Sequence, residues 1–207
     1  MIYWIAYFFW FLLSRIFFPI KVYGSENLTR KSAYIVASNH LSYLDPMIIG
    51  LCCRRRLSYM ARDTLFKNKA FSFLLRQVGA FPVKRESSDT KAIKEALKRL
   101  KNQLPVVLFP EGTRLSSQKK IQPGVGLLAV KSGVPVIPAF IDGPDKVLPP
   151  GARFFQRHPV IVVMGKPRIY SREDSYQHIA EEIVQDIYSM ANRAVSQGGK
   201  ADRSRLR

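Results

Sequence analysis

The sequence predicts an α/β domain with a mixed, partly parallel sheet flanked by helices and an N-terminal apolar, membrane-anchoring helix or helical hairpin. Three observations support this fold class. The chain has 207 residues, 47% of them hydrophobic, which is enough for one domain with its own core. From residue 21 onward, short apolar runs alternate with amphipathic stretches, as in layered α/β proteins. Before that point the chain is almost entirely apolar and aromatic.

Short apolar runs predict the strands, and amphipathic stretches predict the helices between them. The strands are expected at residues 34–38, 57–61, 80–83, 106–109, 134–140 and 160–164. The helices are expected at 46–53 with Asp45 as N-cap, at 64–78 with Asp63 as N-cap, at 89–103, at 124–132, and from the capping pattern of Ser171 and Asp174 to about residue 195. The alternation of the two kinds of element favours a single α/β layer structure.

The first 20 residues predict attachment to a membrane. Residues 1–13 carry no charge, and as a helix they would rise roughly 20 Å, short of the ~30 Å hydrocarbon core. Because dense Trp, Tyr and Phe favour the lipid–water interface, we expect a helix or helical hairpin that lies in one leaflet. A single span with Arg15 near the interface and a core helix of a soluble domain are the alternatives.

The expected organisation is a membrane anchor at 1–20, a domain at 21–195 and a basic disordered tail at 196–207. We expect a monotopic or single-pass membrane protein whose active domain faces the cytoplasm. The two cysteines, Cys52 and Cys53, are adjacent, which excludes a disulfide framework and C-x-x-C metal spacing and favours a reducing compartment.

The net charge restricts the possible partners. Lys and Arg number 33 and Asp and Glu number 15, so the formal net charge is +18. Such a charge favours an anionic partner, which could be nucleic acid, a lipid surface or a phosphorylated substrate. No nucleic acid is expected, because the chain has neither RNP-type aromatics nor a helix-turn-helix pattern and its N-terminus is apolar. A non-catalytic basic protein of the membrane surface is the alternative from another functional class.

The segment 39–45 (NHLSYLD) is the first motif that suggests chemistry. It follows a predicted strand directly and leads into a predicted helix, where α/β sheets often carry reactive groups. We expect one oxygen of Asp45 to cap the helix and the other to accept a proton from His40. That contact would leave the second ring nitrogen of His40 free as a base. A structural loop histidine beside a capping aspartate is the alternative.

The segment 109–114 (FPEGTR) is the second motif. Gly112 allows close approach of the backbone to a ligand, and Arg114 offers a planar fork that suits phosphate. Glu111 would orient this arginine or a substrate hydroxyl. A strand-end turn with a surface ion pair is the alternative for this motif alone.

Together and in this order, the motifs resemble the glycerolipid acyltransferase family, whose best-known members acylate lysophosphatidic acid. The family's N-H-x-S-x-x-D and F-P-E-G-T-R blocks match 39–45 and 109–114, and similar glycine-to-arginine and V-P-V-I-P blocks occur at 79–85 and 134–138. Arg62 stands where the family often has Lys, and Leu115-Ser116 replaces a frequent Ser-Arg.

The resemblance implies acyl transfer from acyl-CoA or acyl carrier protein to the sn-2 hydroxyl of 1-acyl-sn-glycerol 3-phosphate, a membrane lipid acceptor. The product is phosphatidic acid, and neither a metal nor a cofactor other than the thioester co-substrate is required. The implied catalytic residues are His40 and Asp45, and the implied substrate-binding residues are Arg62, Arg85, Glu111, Gly112, Thr113 and Arg114. A different lysolipid acceptor is the alternative within the same enzyme class.

Overall fold

A seven-stranded sheet with helices on both faces organises the described part of the chain. The structure is a computed structural model and describes residues 2–84, 89–114, 120–171, 174–192 and 194. Its strands are β1 (Ile20–Tyr23), β2 (Ile35–Ser38), β3 (Ser58–Arg62), β4 (Ala80–Val83), β5 (Val106–Leu108), β6 (Val136–Asp142) and β7 (Val160–Met164). Its α-helices are α1 (Ile2–Phe17), α2 (Asp45–Cys53), α3 (Lys69–Gln77), α4 (Thr90–Lys101), α5 (Gly124–Ser132), α6 (Pro144–Val147) and α7 (Tyr176–Ser189).

The strands lie in the order β1-β7-β6-β2-β5-β3-β4. All neighbours are parallel except β6 and β7, which confirms the predicted α/β class with a mixed, partly parallel sheet. The edge strand β1 is absent from the predicted strands. Its four residues continue an apolar run and interrupt it only with Lys21, so no separate strand pattern is visible in the sequence.

Two clusters of buried apolar side chains fill the space between the sheet and its helices. On one face the sheet packs against Ala96 of α4, Leu128 of α5 and Ile183 of α7. On the other face it packs against Ile48 of α2 and against Phe18, which follows α1. Both faces are therefore covered, as a largely parallel sheet requires.

The carboxyl ends of β2, β5 and β3 meet at one edge of the sheet. In the register, Ala37 lies opposite Leu108, and Tyr59 lies opposite Val107. The residues that follow these strands emerge side by side, at the edge where parallel α/β sheets bind ligands. Because the two motifs at 39–45 and 109–114 follow β2 and β5, the fold brings them together.

Two helices begin later than predicted, because a better N-cap lies downstream. The expected helix at 64–78 is divided: a 3₁₀ turn at Asp63–Phe66 precedes α3, and Asn68 caps α3 by accepting a helix N–H at 3.0 Å. The last helix begins after Ser175, whose hydroxyl accepts a helix N–H at 3.1 Å, and not at residue 171. In each case the residue directly before the helix satisfies an otherwise free N–H group.

The N-terminal segment forms one helix, α1, which packs along α2. Tyr3 is buried, Phe18 is fully buried, and Trp10 and Leu13 pack against the same cluster. Seven large apolar side chains of the helix are exposed: Trp4, Ile5, Phe8, Phe9, Phe11, Leu12 and Ile16. Among the helices of the described ranges, none has the length and apolar composition to cross a membrane. The predicted tail at 196–207 lies outside the described residues.

Candidate active site

His40 lies just beyond the carboxyl end of β2, in the loop that leads to α2. Its Nδ1 is 2.7 Å from Oδ2 of Asp45, and its ring stacks on Phe109 with 4.2 Å between ring centroids. The residue is only 9% exposed. Since a carboxylate only accepts hydrogen bonds, Nδ1 donates in this contact, and in the neutral ring Nε2 is then the nitrogen with the lone pair. The imidazole is thus held from two sides with one nitrogen left for chemistry.

Asp45 is fully buried and stabilises the loop before α2. Its Oδ2 accepts the backbone N–H of Leu41 and of Ser42, at 2.6 and 2.9 Å, in addition to the contact with His40. Asp45 is the first residue of α2, and Leu44 occupies the N-cap position, so the expectation that Asp45 caps the helix is wrong. The loop folds back over the carboxylate, and its N–H groups bind the same oxygen that contacts His40.

Asn39 anchors the other end of the same loop to the sheet. Its Nδ2 donates to the carbonyl of Ile141 at 2.9 Å, and its Oδ1 accepts the N–H of Ile141 at 2.8 Å. The side chain thereby continues the pairing of β2 with β6 by one step beyond the strand. His40 starts from a fixed backbone position because the residue before it is fastened to the neighbouring strand.

The segment after β5 forms a tight turn beside His40. Gly112 has a φ of +64°, and its N–H donates to the carbonyl of Phe109 at 2.9 Å. A left-handed conformation favours glycine, which explains this residue in the motif. The N–H of Gly112 is consequently occupied within the turn. Thr113 lies next to it and is half-buried.

Glu111 is buried and has a partner that the sequence did not suggest. The hydroxyl of Tyr188 donates to Oε1 of Glu111 at 2.7 Å. Tyr188 belongs to α7, which lies 77 residues further along the chain, and its ring packs edge-on against Phe140 of β6. Glu111 therefore ties the turn after β5 to the C-terminal helix.

The predicted phosphate-binding arginines occupy different positions. The guanidinium of Arg114 stacks on the ring of Tyr43, 3.2 Å from its centroid. Because Tyr43 lies in the loop between His40 and Asp45, this contact joins the two motifs. Arg62 is exposed at the end of β3, on the same sheet edge, and Arg85 lies outside the described residues.

The arrangement combines a positioned imidazole with a guanidinium fork on one sheet edge. In the neutral ring, Nε2 of His40 can remove a proton from a hydroxyl, and the buried Asp45 carboxylate stabilises the imidazolium that results. The guanidinium of Arg114 can bind a phosphate group in a bidentate manner. The site is therefore equipped to activate the hydroxyl of a phosphorylated substrate.

Comparison with known proteins relates this chain to one enzyme family. The family model described as Acyltransferase matches residues 19–142, a range that contains both motifs. The 1-acyl-sn-glycerol-3-phosphate acyltransferase of Bacillus subtilis is 32% identical over 149 residues, covering 72% of this chain and 73% of the relative. A chloroplastic 1-acyl-sn-glycerol-3-phosphate acyltransferase of Arabidopsis thaliana is 30% identical over 76% of this chain, which spans 46% of that relative.

A solved structure is similar as well. The 1-acyl-sn-glycerophosphate (LPA) acyltransferase PlsC from Thermotoga maritima superposes with a TM-score of 0.65 and 28% sequence identity. The similarity covers 84% of this chain and 71% of that chain. The similarity thus extends over most of the described fold.

Proposed function

Because the chain belongs to the acyltransferase family and is an O-acyltransferase of phospholipid biosynthesis, we propose that it acylates the sn-2 hydroxyl of 1-acyl-sn-glycerol 3-phosphate. The donor is a thioester, acyl-CoA or acyl carrier protein, and the product is phosphatidic acid. The contact of His40 with Asp45 at 2.7 Å, inside the segment that matches the family, carries this proposal.

In the proposed mechanism, the acceptor hydroxyl attacks the thioester directly. Nε2 of His40 takes the hydroxyl proton while the oxygen forms a bond to the thioester carbon. The carbon–sulfur bond then breaks, and the thiol leaves with the proton that His40 has held. Asp45 keeps the ring in the correct tautomer and stabilises the imidazolium, so no covalent acyl-enzyme is needed.

The acceptor phosphate is proposed to bind at Arg114, with Arg62 and Arg85 as further contacts. The stacking of Arg114 on Tyr43 supports this role, because it places a planar cation beside the loop that carries His40. A phosphate held there would position the acceptor hydroxyl near the base. Glu111, Gly112 and Thr113 shape the turn that presents Arg114.

Attachment to a membrane is proposed through the exposed apolar face of α1, with the active site on the cytoplasmic side. Both the acceptor and the product are lipids, and seven large apolar side chains of this helix are exposed. A helix that keeps one face on the domain and offers the other to lipid would lie in one leaflet.

The proposed function is tested by supplying lysolipid acceptors with labelled acyl-CoA or acyl carrier protein and identifying the products by mass spectrometry. We expect phosphatidic acid from lysophosphatidic acid, and a loss of ~10²–10⁴ in rate for His40→Ala. His178→Ala is the matched control, since His178 is an exposed residue of α7, and it should retain full activity.

The same assay separates the alternatives. If a lysolipid without a free phosphate is preferred, the acceptor assignment is wrong although the enzyme class stands. If folded His40→Ala, checked by circular dichroism, keeps about half of the wild-type turnover, the general-base mechanism is wrong.

A further inference from the structure

A groove of about 700 Å³ lies at the β1 edge of the sheet, away from the motifs. Its walls come from α1, from β1 and the loop after it, and from the C-terminal end of α2. Its lining includes the apolar side chains of Phe11, Ile20, Val22, Leu28 and Leu51. An elongated apolar group could lie along these side chains.

Four arginines line the same groove: Arg15, Arg30, Arg54 and Arg157. All four are exposed, and none of their guanidinium groups forms an ion pair or a hydrogen bond with another described residue. The neighbouring Arg55 is different, because its guanidinium donates to the carbonyls of Thr29, Ser32 and Gln103. The fold thus uses Arg55 for its own stability and leaves the four groove arginines available.

Among the residues that the structure describes, no acidic side chain of the groove neutralises these arginines. The described lining residues include no Asp or Glu, and their other ionisable groups are Tyr7, Cys52 and Cys53. Burial raises the pKa of all three groups, so they are uncharged near neutral pH. The groove therefore combines apolar side chains with positive charges that no described acidic residue of its lining neutralises.

The groove is distinct from the catalytic centre. β1 is separated from β2, which carries His40, by β7 and β6. Three strand spacings of roughly 4.8 Å amount to about 14 Å. None of the lining residues belongs to the motifs at 39–45 or 109–114.

We propose that this groove binds an anionic phospholipid of the surrounding bilayer, distinct from the acceptor and the product. The lipid phosphate contacts the arginines, and an acyl chain lies against the apolar side chains of the lining. The match of both charge and apolarity favours a lipid over a soluble anion. The position supports this occupant, because the groove adjoins α1, whose outer face is apolar. This proposal rests on the proposed membrane location of α1 and is independent of the acyl-transfer chemistry.

Binding of short-chain lipids to the full-length protein in detergent tests the proposal. The probes are dioctanoyl phosphatidylglycerol, which is anionic, dioctanoyl phosphatidylcholine, which has no net charge, and inorganic phosphate. We expect titration calorimetry to show phosphatidylglycerol binding at least about tenfold more tightly than either other probe. Arg30→Gln with Arg157→Gln should weaken this binding at least about tenfold.

Lys94→Gln with Lys98→Gln is the matched control, because it removes the same charge from the exposed face of α4 and should leave binding unchanged. The proposal is overturned if the two lipids bind with equal affinity or if inorganic phosphate binds as tightly as phosphatidylglycerol. It is also overturned if the control variant loses as much affinity as the variant with Arg30→Gln and Arg157→Gln. His40→Ala separates the two proposals, since it should abolish acyl transfer and retain phosphatidylglycerol binding.

Discussion

One oxygen atom, Oδ2 of Asp45, holds the imidazole of His40 and two backbone N–H groups at once. The other oxygen, Oδ1, is buried and has no hydrogen-bond partner among the described residues. Asp45→Asn would place an amide group at this buried position and remove the charge that stabilises the imidazolium. We expect a loss of ~10²–10⁴ in turnover and of about 1–3 kcal/mol in the free energy of unfolding.

Turnover and denaturant unfolding of Asp45→Asn are the two measurements. Asp174→Asn makes the same change of charge at an exposed position and should alter neither. Wild-type activity in Asp45→Asn would show that the carboxylate has only a structural role.

Arg114 gives the second prediction at the scale of single residues. Arg114→Ala removes the proposed phosphate fork, and we expect a loss of about 2–5 kcal/mol in acceptor recognition. The KM for the acceptor should rise much more than the KM for the donor. Tyr43→Ala leaves the guanidinium and removes its aromatic platform, so its effect should be smaller and in the same direction. An equal loss for phosphorylated and unphosphorylated acceptors would contradict a phosphate-binding role.

The contacts between residues differ in how far the sequence predicts them. His40 and Asp45 are five positions apart, so a short loop is enough to bring them together. Tyr188 and Glu111 are 77 positions apart, and only the packing of α7 on the sheet joins them. The stacking of His40 on Phe109 depends in the same way on the pairing of β2 with β5. Such contacts require the tertiary fold and carry no local pattern.

Among the elements, those with a clear local pattern were predicted well. The helix α4 begins directly after Asp89, which accepts two of its N–H groups, and this agrees with the predicted boundary. The edge strand β1 has no such boundary, since four residues beside an apolar helix show no alternation. It becomes a strand because β7 offers a partner, and that partner lies at the far end of the domain sequence.

The contact between α1, α2 and β3 predicts a pH dependence of stability. Tyr3, Tyr34, Cys53 and Tyr59 lie in this region, and burial raises the pKa of each group, in the case of Cys53 from 9.0 to about 12. In the unfolded chain these groups lose their protons at lower pH than in the folded chain. Stability is therefore complete below about pH 9 and decreases as the pH rises toward 12.

Denaturant unfolding between pH 7 and pH 10.5 measures this dependence. We expect the free energy of unfolding to fall above about pH 9, and to fall less steeply for Cys53→Ala. A flat profile up to pH 10.5 would mean that these groups ionise in the folded protein without cost.

At the scale of the whole molecule, two features could hold the protein on a membrane: the net charge of +18 and the apolar face of α1. We expect the apolar face to dominate, because each large side chain contributes about 1.5–3 kcal/mol when buried. Replacing Trp4, Phe8 and Leu12 by Ser should reduce partitioning into vesicles by at least about 10³-fold. High salt should not release the unaltered protein. Release by salt alone would instead identify the basic surface as the attachment.

Substitution of exposed side chains tests the membrane attachment more specifically than deletion of α1 does. Phe18 is fully buried in the core, and the hydroxyl of Tyr3 donates to the carbonyl of Arg55 and accepts the N–H of Leu57. Removing the segment would therefore destabilise the domain as well as its attachment. The three substituted side chains are about half exposed, so the core remains intact.

The pairing of β1 with β7 has a consequence for the order of events during synthesis. Ile20 lies opposite Val160, so these partners are separated by 140 positions (160 − 20) in the chain. At 5–20 residues per second, a ribosome needs roughly 7–30 s to make that stretch. For much of this interval α1 and β1 lie outside the ribosome while their partner strand does not yet exist. An apolar helix that is exposed for this long can enter the bilayer before β7 is made, and the sheet would then form on a chain whose helix α1 is already in lipid.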